Sequence, residues 1–187
     1  MDTSVLILVV LVIVAAIVAI GMMQRQKSEK LKERFGPEYD HAVDEYGDKR
    51  RAEDELVARE KRVEAFHIRP LSAGERNRFS DAWRAVQTRF VDDPPGAIVD
   101  ADQLVKEVME TRGYPLGDFE QLAADISVDH PAVVMNYRAA RDIAVENRNG
   151  QADTEKLRQA MVHYRALFED LLEAPEKSVE RTKEVVR

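Results

Sequence analysis

The alternation of apolar and polar positions divides this chain into three regions. From Thr3 to Met23 no side chain is charged, and Val5 to Ile20 is almost wholly aliphatic. At about 1.5 Å of rise per residue such a run spans roughly 32 Å, which matches the hydrocarbon core of a bilayer. The pattern predicts a transmembrane helix over residues 3–23. Residues 24–40 then mix Lys and Arg with Glu and end at the breaker Phe35-Gly36-Pro37. Residues 38–66 predict a second helix, with an interruption expected at Gly47 and apolar positions at Ala42, Val43, Tyr46, Leu56, Val57, Val63 and Phe66. Lys49, Glu53 and Glu60 fall on the same seam, so no heptad is sustained. Opposite charges at i,i+4, such as Glu55 with Arg59, suit an exposed helix. This segment reads as a charged stalk, or as a helix docking one narrow stripe.

Beyond His67 the period settles near 3.6. Ser72-x-x-Glu75 is a capping box that opens a helix carrying Phe79, Ala82, Trp83, Val86 and Phe90 on one face. Asp92-Asp93-Pro94-Pro95-Gly96 is expected to close it, and a helix over 97–111 carries Ala97, Ala101, Leu104, Val105 and Val108. Gly113, with Pro115 beyond it, is a stop signal. Asp118-x-x-Gln121 opens a short helix through Leu122 and Ile126. Asp129 with Pro131 is expected to open the next, carrying Val133, Val134, Tyr137, Ala140, Ile143 and Ala144, and Asn149-Gly150 stops it. Asp153 or Thr154 caps the last, whose stripe is Leu157, Met161, Tyr164, Leu167, Phe168 and Leu171. No stretch shows period-2 alternation. The expected fold class is all-α: an N-terminal transmembrane helix (1–23), a juxtamembrane segment and stalk (24–70), a compact bundle of about five helices (71–173) and a flexible polar tail (174–187).

A cleaved signal peptide is the rival reading of the first segment. The Met1-Asp2-Thr3-Ser4 start has no basic residue, the apolar run exceeds an ordinary signal core, and Ala19-Ile20-Gly21 is a poor cleavage site. An uncleaved anchor is therefore expected. Asp2 precedes the run, while Arg25, Lys27, Lys30, Lys32 and Arg34 follow it, and basic residues stay on the cytoplasmic side. The expected topology is a single-pass protein of the cell membrane with its N-terminus outside and its C-terminal domain in the cytoplasm. Ala15 and Ala19 make a small-xxx-small pair through which two anchors could associate weakly. The basic flank is either a solvated helix or a patch lying on anionic lipid, and Glu29 and Glu33 dilute it toward the first.

Charge sharpens the division. The net charge is −7, and residues 71–173, with 12 basic and 19 acidic side chains, carry all of it, whereas 24–70 balance 12 against 12. An acidic domain repels phosphate backbones, which disfavours a nucleic-acid partner. The absence of cysteine removes disulfides, thiolate metal sites and a cysteine nucleophile.

Little in the sequence points to chemistry, and no cofactor is expected. Glu38/His41 and Glu64/His67 have a spacing that binds metal from one helix face, but on a continuous helix they lie roughly 39 Å apart and lack facing carboxylates. Asp92, Asp93, Asp100 and Asp102 lack the ordered offsets of a calcium loop. Ser127 beside Asp129-His130 is a proximity in sequence, not a triad. No nucleophile elbow, zinc-helix or phosphate-loop motif occurs. Trp83, Phe90, Tyr137, Tyr164 and Phe168 recur at core spacing, and His163 is expected to be a satisfied, partly buried histidine. The most distinctive stretch is Arg112-Gly113-Tyr114-Pro115 with Asp118 and Glu120; together with Asp129 and His130 it is the expected binding surface, if one exists.

The stretches Arg34-Phe35-Gly36-Pro37-Glu38-Tyr39-Asp40, Ile68-Arg69-Pro70-Leu71-Ser72, Trp83 to Pro94, Arg112-Gly113-Tyr114-Pro115, Asp118 to Pro131 and Gln159 to Arg165 together resemble an uncharacterised family of small bacterial, actinobacterial-type membrane-anchored helical proteins. The resemblance covers most of residues 34–172 and implies no activity. The expected function is a membrane-tethered interaction module, an adaptor or scaffold of the bacterial envelope with an unidentified protein partner. The alternatives are an enzyme or ligand-binding domain sited near 112–120 with Asp129 and His130, and a membrane-surface stress or lipid sensor acting through the basic flank.

Overall fold

The computed structural model describes the backbone from Thr3 to Glu173 and the side chains from Leu11 to Glu173. Its described residues form eight helices and no strand: α1 (Thr3–Phe35), α2 (Pro37–Tyr46), α3 (Lys49–Glu64), α4 (Ala73–Asp92), α5 (Pro94–Arg112), α6 (Phe119–Asp129), α7 (Val134–Arg148) and α8 (Thr154–Glu173). The all-α expectation holds. The tail from residue 174 lies outside the described residues. The chain divides into two compact units, one ending at Leu56 and one beginning at Val57, so the boundary falls inside α3.

In the first unit, α1 runs for 33 residues without interruption. The apolar segment and the connector are one helix, because Gln24 to Arg34 contains only ordinary or strong helix formers and no Gly or Pro. Lys32 and Arg34 in its last turn complement the helix dipole. Gly36, at φ 50° and ψ −128°, ends it in a conformation that L side chains rarely adopt, and Pro37 restarts the chain as the first residue of α2. Gly47 stops α2 in the left-handed region, so the segment over 38–66 is two helices, as the sequence led us to expect.

Leu31, Phe35, Tyr39, Ala42, Ala52 and Leu56 are the buried apolar residues of this unit. Glu53 is buried among them and is satisfied there: it accepts hydrogen bonds from Ser28 Oγ at 2.6 Å and Tyr39 Oη at 2.8 Å. Burial, reinforced by the Glu53 contact, pushes the Tyr39 phenol up to about 12. The basic flank meets acidic partners: Lys27 Nζ lies 3.1 Å from Asp54, and Lys32 Nζ 3.6 Å from Asp40.

The second unit holds the rest of α3 and the five helices α4 to α8. In it α5 packs on α4, α7 and α8, and α8 packs on α7. Its core takes the apolar stripes read from the sequence, including Phe79, Trp83, Val105, Tyr137, Tyr164 and Phe168. Trp83 stacks on Phe168 with centroids 4.7 Å apart, and Phe119 meets Tyr137 tilted at 4.9 Å.

Two boundaries differ from expectation. Asp92 to Gly96 ends α4 as expected, but α5 begins within it, three residues before Ala97. The N–H of Asp93 closes α4 on the Arg89 carbonyl at 2.8 Å, and its carboxylate caps α5 through Gly96 N–H at 3.0 Å, with Pro94 and Pro95 as the first helical residues. A proline at that position has no lost hydrogen bond to pay for, so the pair starts a helix instead of breaking one. Likewise α7 begins at Val134 and not at Asp129, because α6 continues through Asp129 and His130 N–H closes it on the Ile126 carbonyl at 2.8 Å.

Candidate functional site

Of the residues singled out around 112–130, Arg112 meets His130 and Tyr114 meets Asp129, whereas Asp118 and Glu120 bind elsewhere. Gly113 ends α5 at φ 101°, and a Cβ there would lie 2.4 Å from the His67 carbonyl oxygen. Only glycine permits that approach. The linker between α3 and α4 is bound here too, since Arg69 N–H donates to the Arg112 carbonyl at 2.8 Å.

The Arg112 side chain turns inward and is 5% exposed. Its guanidinium donates to the Leu171 carbonyl at 3.1 Å and lies 3.2 Å from His130 Nε2. An arginine only donates, so Nε2 offers its lone pair and the ring proton sits on Nδ1, where His130 meets the Asp170 carboxylate. Both imidazole nitrogens are therefore occupied. Tyr114, 1% exposed, donates to Asp129 Oδ2 at 3.0 Å. Burial first, and the Asp129 charge second, hold its phenol well above the ordinary range.

Asp118 and Glu120 face solvent and serve local ends. Asp118 caps α6 through Gln121 N–H at 2.9 Å, and Glu120 accepts from Arg138 at 2.7 Å. Ser127 donates to the Ala124 carbonyl at 2.7 Å. Chemically, the cluster is a lock joining the C-terminal ends of α5, α6 and α8. It offers no free imidazole lone pair and no activated hydroxyl.

Sequence reasoning missed two further polar clusters. Asp102, read only as part of an acidic run, is buried. It accepts from Tyr164 Oη at 2.9 Å and Lys106 Nζ at 2.7 Å, with Arg141 Nη1 at 3.5 Å. Burial and the Asp102 charge raise the Tyr164 phenol, and the same pair of causes raises Tyr137. Asp125, 1% exposed, accepts from Arg62 Nε at 2.7 Å and Gln121 Nε2 at 2.9 Å. The i,i+4 spacing of Asp102 with Lys106 and of Gln121 with Asp125 was the available signal.

The other acidic candidates resolve locally. Asp93 and Asp100 flank Arg89 at 2.7 and 2.5 Å. Among the described residues no group of three or more His, Asp or Glu side chains is arranged to hold a metal ion. Glu38 and His41 lie in α2, whereas Glu64 is the last residue of α3 and His67 lies beyond its end, so the separation expected along one helix does not apply. His163 Nδ1 pairs with Asn136 Oδ1 at 2.9 Å.

The remaining feature of functional weight is α1. Its side chains from Leu11 to Lys27 are all exposed, with Leu11 at 64% and Met23 at 70%. A large apolar surface on a continuous helix, exposed among the described residues, has the length and composition to cross a membrane. Comparison with known protein families, curated proteins and solved structures finds no match for the chain.

Proposed function

We propose that this protein is a single-pass membrane-tethered interaction module, an adaptor or scaffold of the bacterial envelope. The observation that carries the reading is the uncovered apolar surface of α1, continuous with a helix that packs through Ser28, Leu31 and Phe35 into a folded unit. The anchor fixes the protein at the bilayer through residues 3–23, and the acidic helical unit faces a protein partner. The contacts around Arg112 and His130 support a binding role over catalysis at that position, since both imidazole nitrogens of His130 and the Tyr114 hydroxyl are engaged with neighbouring side chains. The basic flank after Met23 favours a cytoplasmic location for the helical unit, with the N-terminus outside. The resemblance to a family of membrane-anchored helical proteins accords with this reading and adds no activity to it.

Two measurements test the proposal together. External protease on intact cells is expected to spare the helical unit, and digestion from outside would overturn the topology. A photo-cross-linking residue at exposed Val91 or Leu116 is expected to give a discrete adduct with a second protein in living cells. Adducts with lipid alone, or none at either position, would remove the adaptor reading.

A further inference from the structure

The basic residues that follow the anchor are partly spent inside the first unit. Lys27 is paired with Asp54 and Lys32 with Asp40. A second group of cations stands close by. The first turn of α3 is Lys49-Arg50-Arg51, all exposed, with no acidic residue in that turn. Three cations at a helix N-terminus oppose the helix dipole, so local helix stability does not explain them. Lys49 makes one long contact, 3.7 Å to Glu53, and Arg51 contributes its backbone N–H to the Asp48 cap at 2.9 Å.

The packing sets the height of this turn relative to the anchor. Glu53 meets Ser28, and Asp54 meets Lys27. Every described α1 side chain before Ser28 is exposed, whereas Leu31, Phe35 and Leu56 are buried. From Glu53 to Leu56, α3 therefore advances toward Leu31 and Phe35 and away from the apolar stretch. Its first turn lies on the anchor side of that level, about 6 Å before Glu53 for Lys49. Ser28 itself stands only about 7.5 Å beyond Met23. Lys49, Arg50 and Arg51 thus come to the height at which the apolar surface of α1 ends, beside Arg25, which sits about 60° around the helix from Ser28. Half-buried Tyr46 ends α2, three residues before Lys49, and is a residue type enriched at membrane interfaces. The carboxylates at this height are Asp44, Glu45, Asp48 and Asp54: Asp48 caps α3, Asp54 holds Lys27, and Glu45 meets His41 at 3.9 Å.

We propose that Lys49, Arg50 and Arg51, converging with Arg25, form a collar that binds the anionic phospholipid headgroups of the leaflet where α1 leaves the bilayer. Charge complementarity identifies the occupant: exposed cations at the end of an apolar span face a surface that carries phosphate. The inference rests on the reading of α1 as a membrane anchor and deepens it. The lipid-facing charge comes from a turn 24 residues beyond Arg25 in sequence, which no reading of the flank alone would include.

The test uses the full chain in vesicles of phosphatidylcholine carrying about a third phosphatidylglycerol, with spin-labelled forms of each lipid as probes. Flotation with the vesicles and resistance to alkaline extraction report the anchor. Motional restriction of the two labels reports headgroup preference. The intact protein is expected to prefer phosphatidylglycerol by about three-fold or more at low salt and to lose most of that preference in 0.5 M salt. K49Q/R50Q/R51Q is expected to bring the ratio close to one, and R148Q, in α7, to leave it unchanged. R50E/R51E improves the match to the helix dipole, so α3 is retained, and is expected to invert the preference. Failure to float overturns the anchor and the collar with it. Stable incorporation with no headgroup preference, or full preference in both α3 variants, overturns the collar alone.

Discussion

At the scale of single residues, the positions that matter most are polar groups withdrawn from water. Arg112 serves two acceptors, the Leu171 carbonyl and His130 Nε2. Arg112→Ala removes both contacts from a buried place, and is expected to destabilise the second unit by about 3 kcal/mol. Denaturant unfolding of the detergent-solubilised chain measures it; a change under about 1 kcal/mol would mean the lock carries no weight. Gly113→Ala is expected to cost at least about 2 kcal/mol, through a left-handed backbone and the approach to the His67 carbonyl. The same unfolding experiment reads it. Tyr164→Phe removes one donor from Asp102, which keeps Lys106, and the expected loss is smaller, about 1 kcal/mol. None of these roles was legible in advance. Arg112 and His130 were noticed as chemistry-bearing residue types, but their partners Asp170 and Leu171 lie 40 and 59 residues away. Sequence spacing carries no information about such contacts.

At the scale of elements the chain was far more readable, because helices are written in local patterns. The Ser72/Glu75 box forms as expected: Glu75 N–H donates to Ser72 Oγ at 3.2 Å and Ser72 N–H to Glu75 at 2.8 Å. Arg69 adds a two-pronged contact at 2.9 and 2.7 Å. Ser72→Ala is expected to remove about 1 kcal/mol of stability, visible in the same unfolding curves. Arg69 first, and the Ser72 N–H second, hold the Glu75 carboxyl well below its usual range; the N–H of Gly96 and Arg89 do the same for Asp93, and Arg158 lowers Glu155 to about 2. Each of these groups is depressed in the folded state. Their contribution is present above the ordinary carboxylate range and is lost as pH falls through the folded values. The thermal midpoint is therefore expected to drop as pH is taken from about 5 toward 2, more gently in high salt. The opposite limb belongs to the tyrosines. Burial raises Tyr39, Tyr114, Tyr137 and Tyr164, so their contribution holds below about pH 10 and is lost above it. In a Tyr46→Phe chain, phenolate absorbance that climbs only with loss of helix would bear this out; the four remaining phenols ionising while the helices persist would not. Where element boundaries were misplaced, proline was the reason. The stretch from Asp92 does end α4 as expected, but α5 begins at Pro94, three residues before Ala97, because a proline in the first turn of a helix is at home.

At the scale of the whole molecule, what the pattern could announce was a division of labour between an apolar segment and an acidic bundle. It could not announce that the juxtamembrane region folds. Residues 24–56 look like a charged, balanced stalk because their apolar positions are few: Leu31, Phe35, Tyr39, Ala42, Ala52 and Leu56 are scattered over three helices and share no single period. Burial of Glu53 beside Ser28 and Tyr39 is likewise invisible until the helices meet. The small unit has a mechanical consequence. No glycine or proline interrupts α1 between Met22 and Phe35, so the helix acts as a lever whose arm beyond Met23 is about 18 Å long. Bilayers of different thickness tilt a spanning helix by different amounts. A change in tilt of about 20° would swing the tip of that arm sideways by roughly 6 Å, carrying α2 and the start of α3 with it. In the proposed anchored topology, lateral position over the membrane would then become a readout of membrane thickness, obtained without any moving joint.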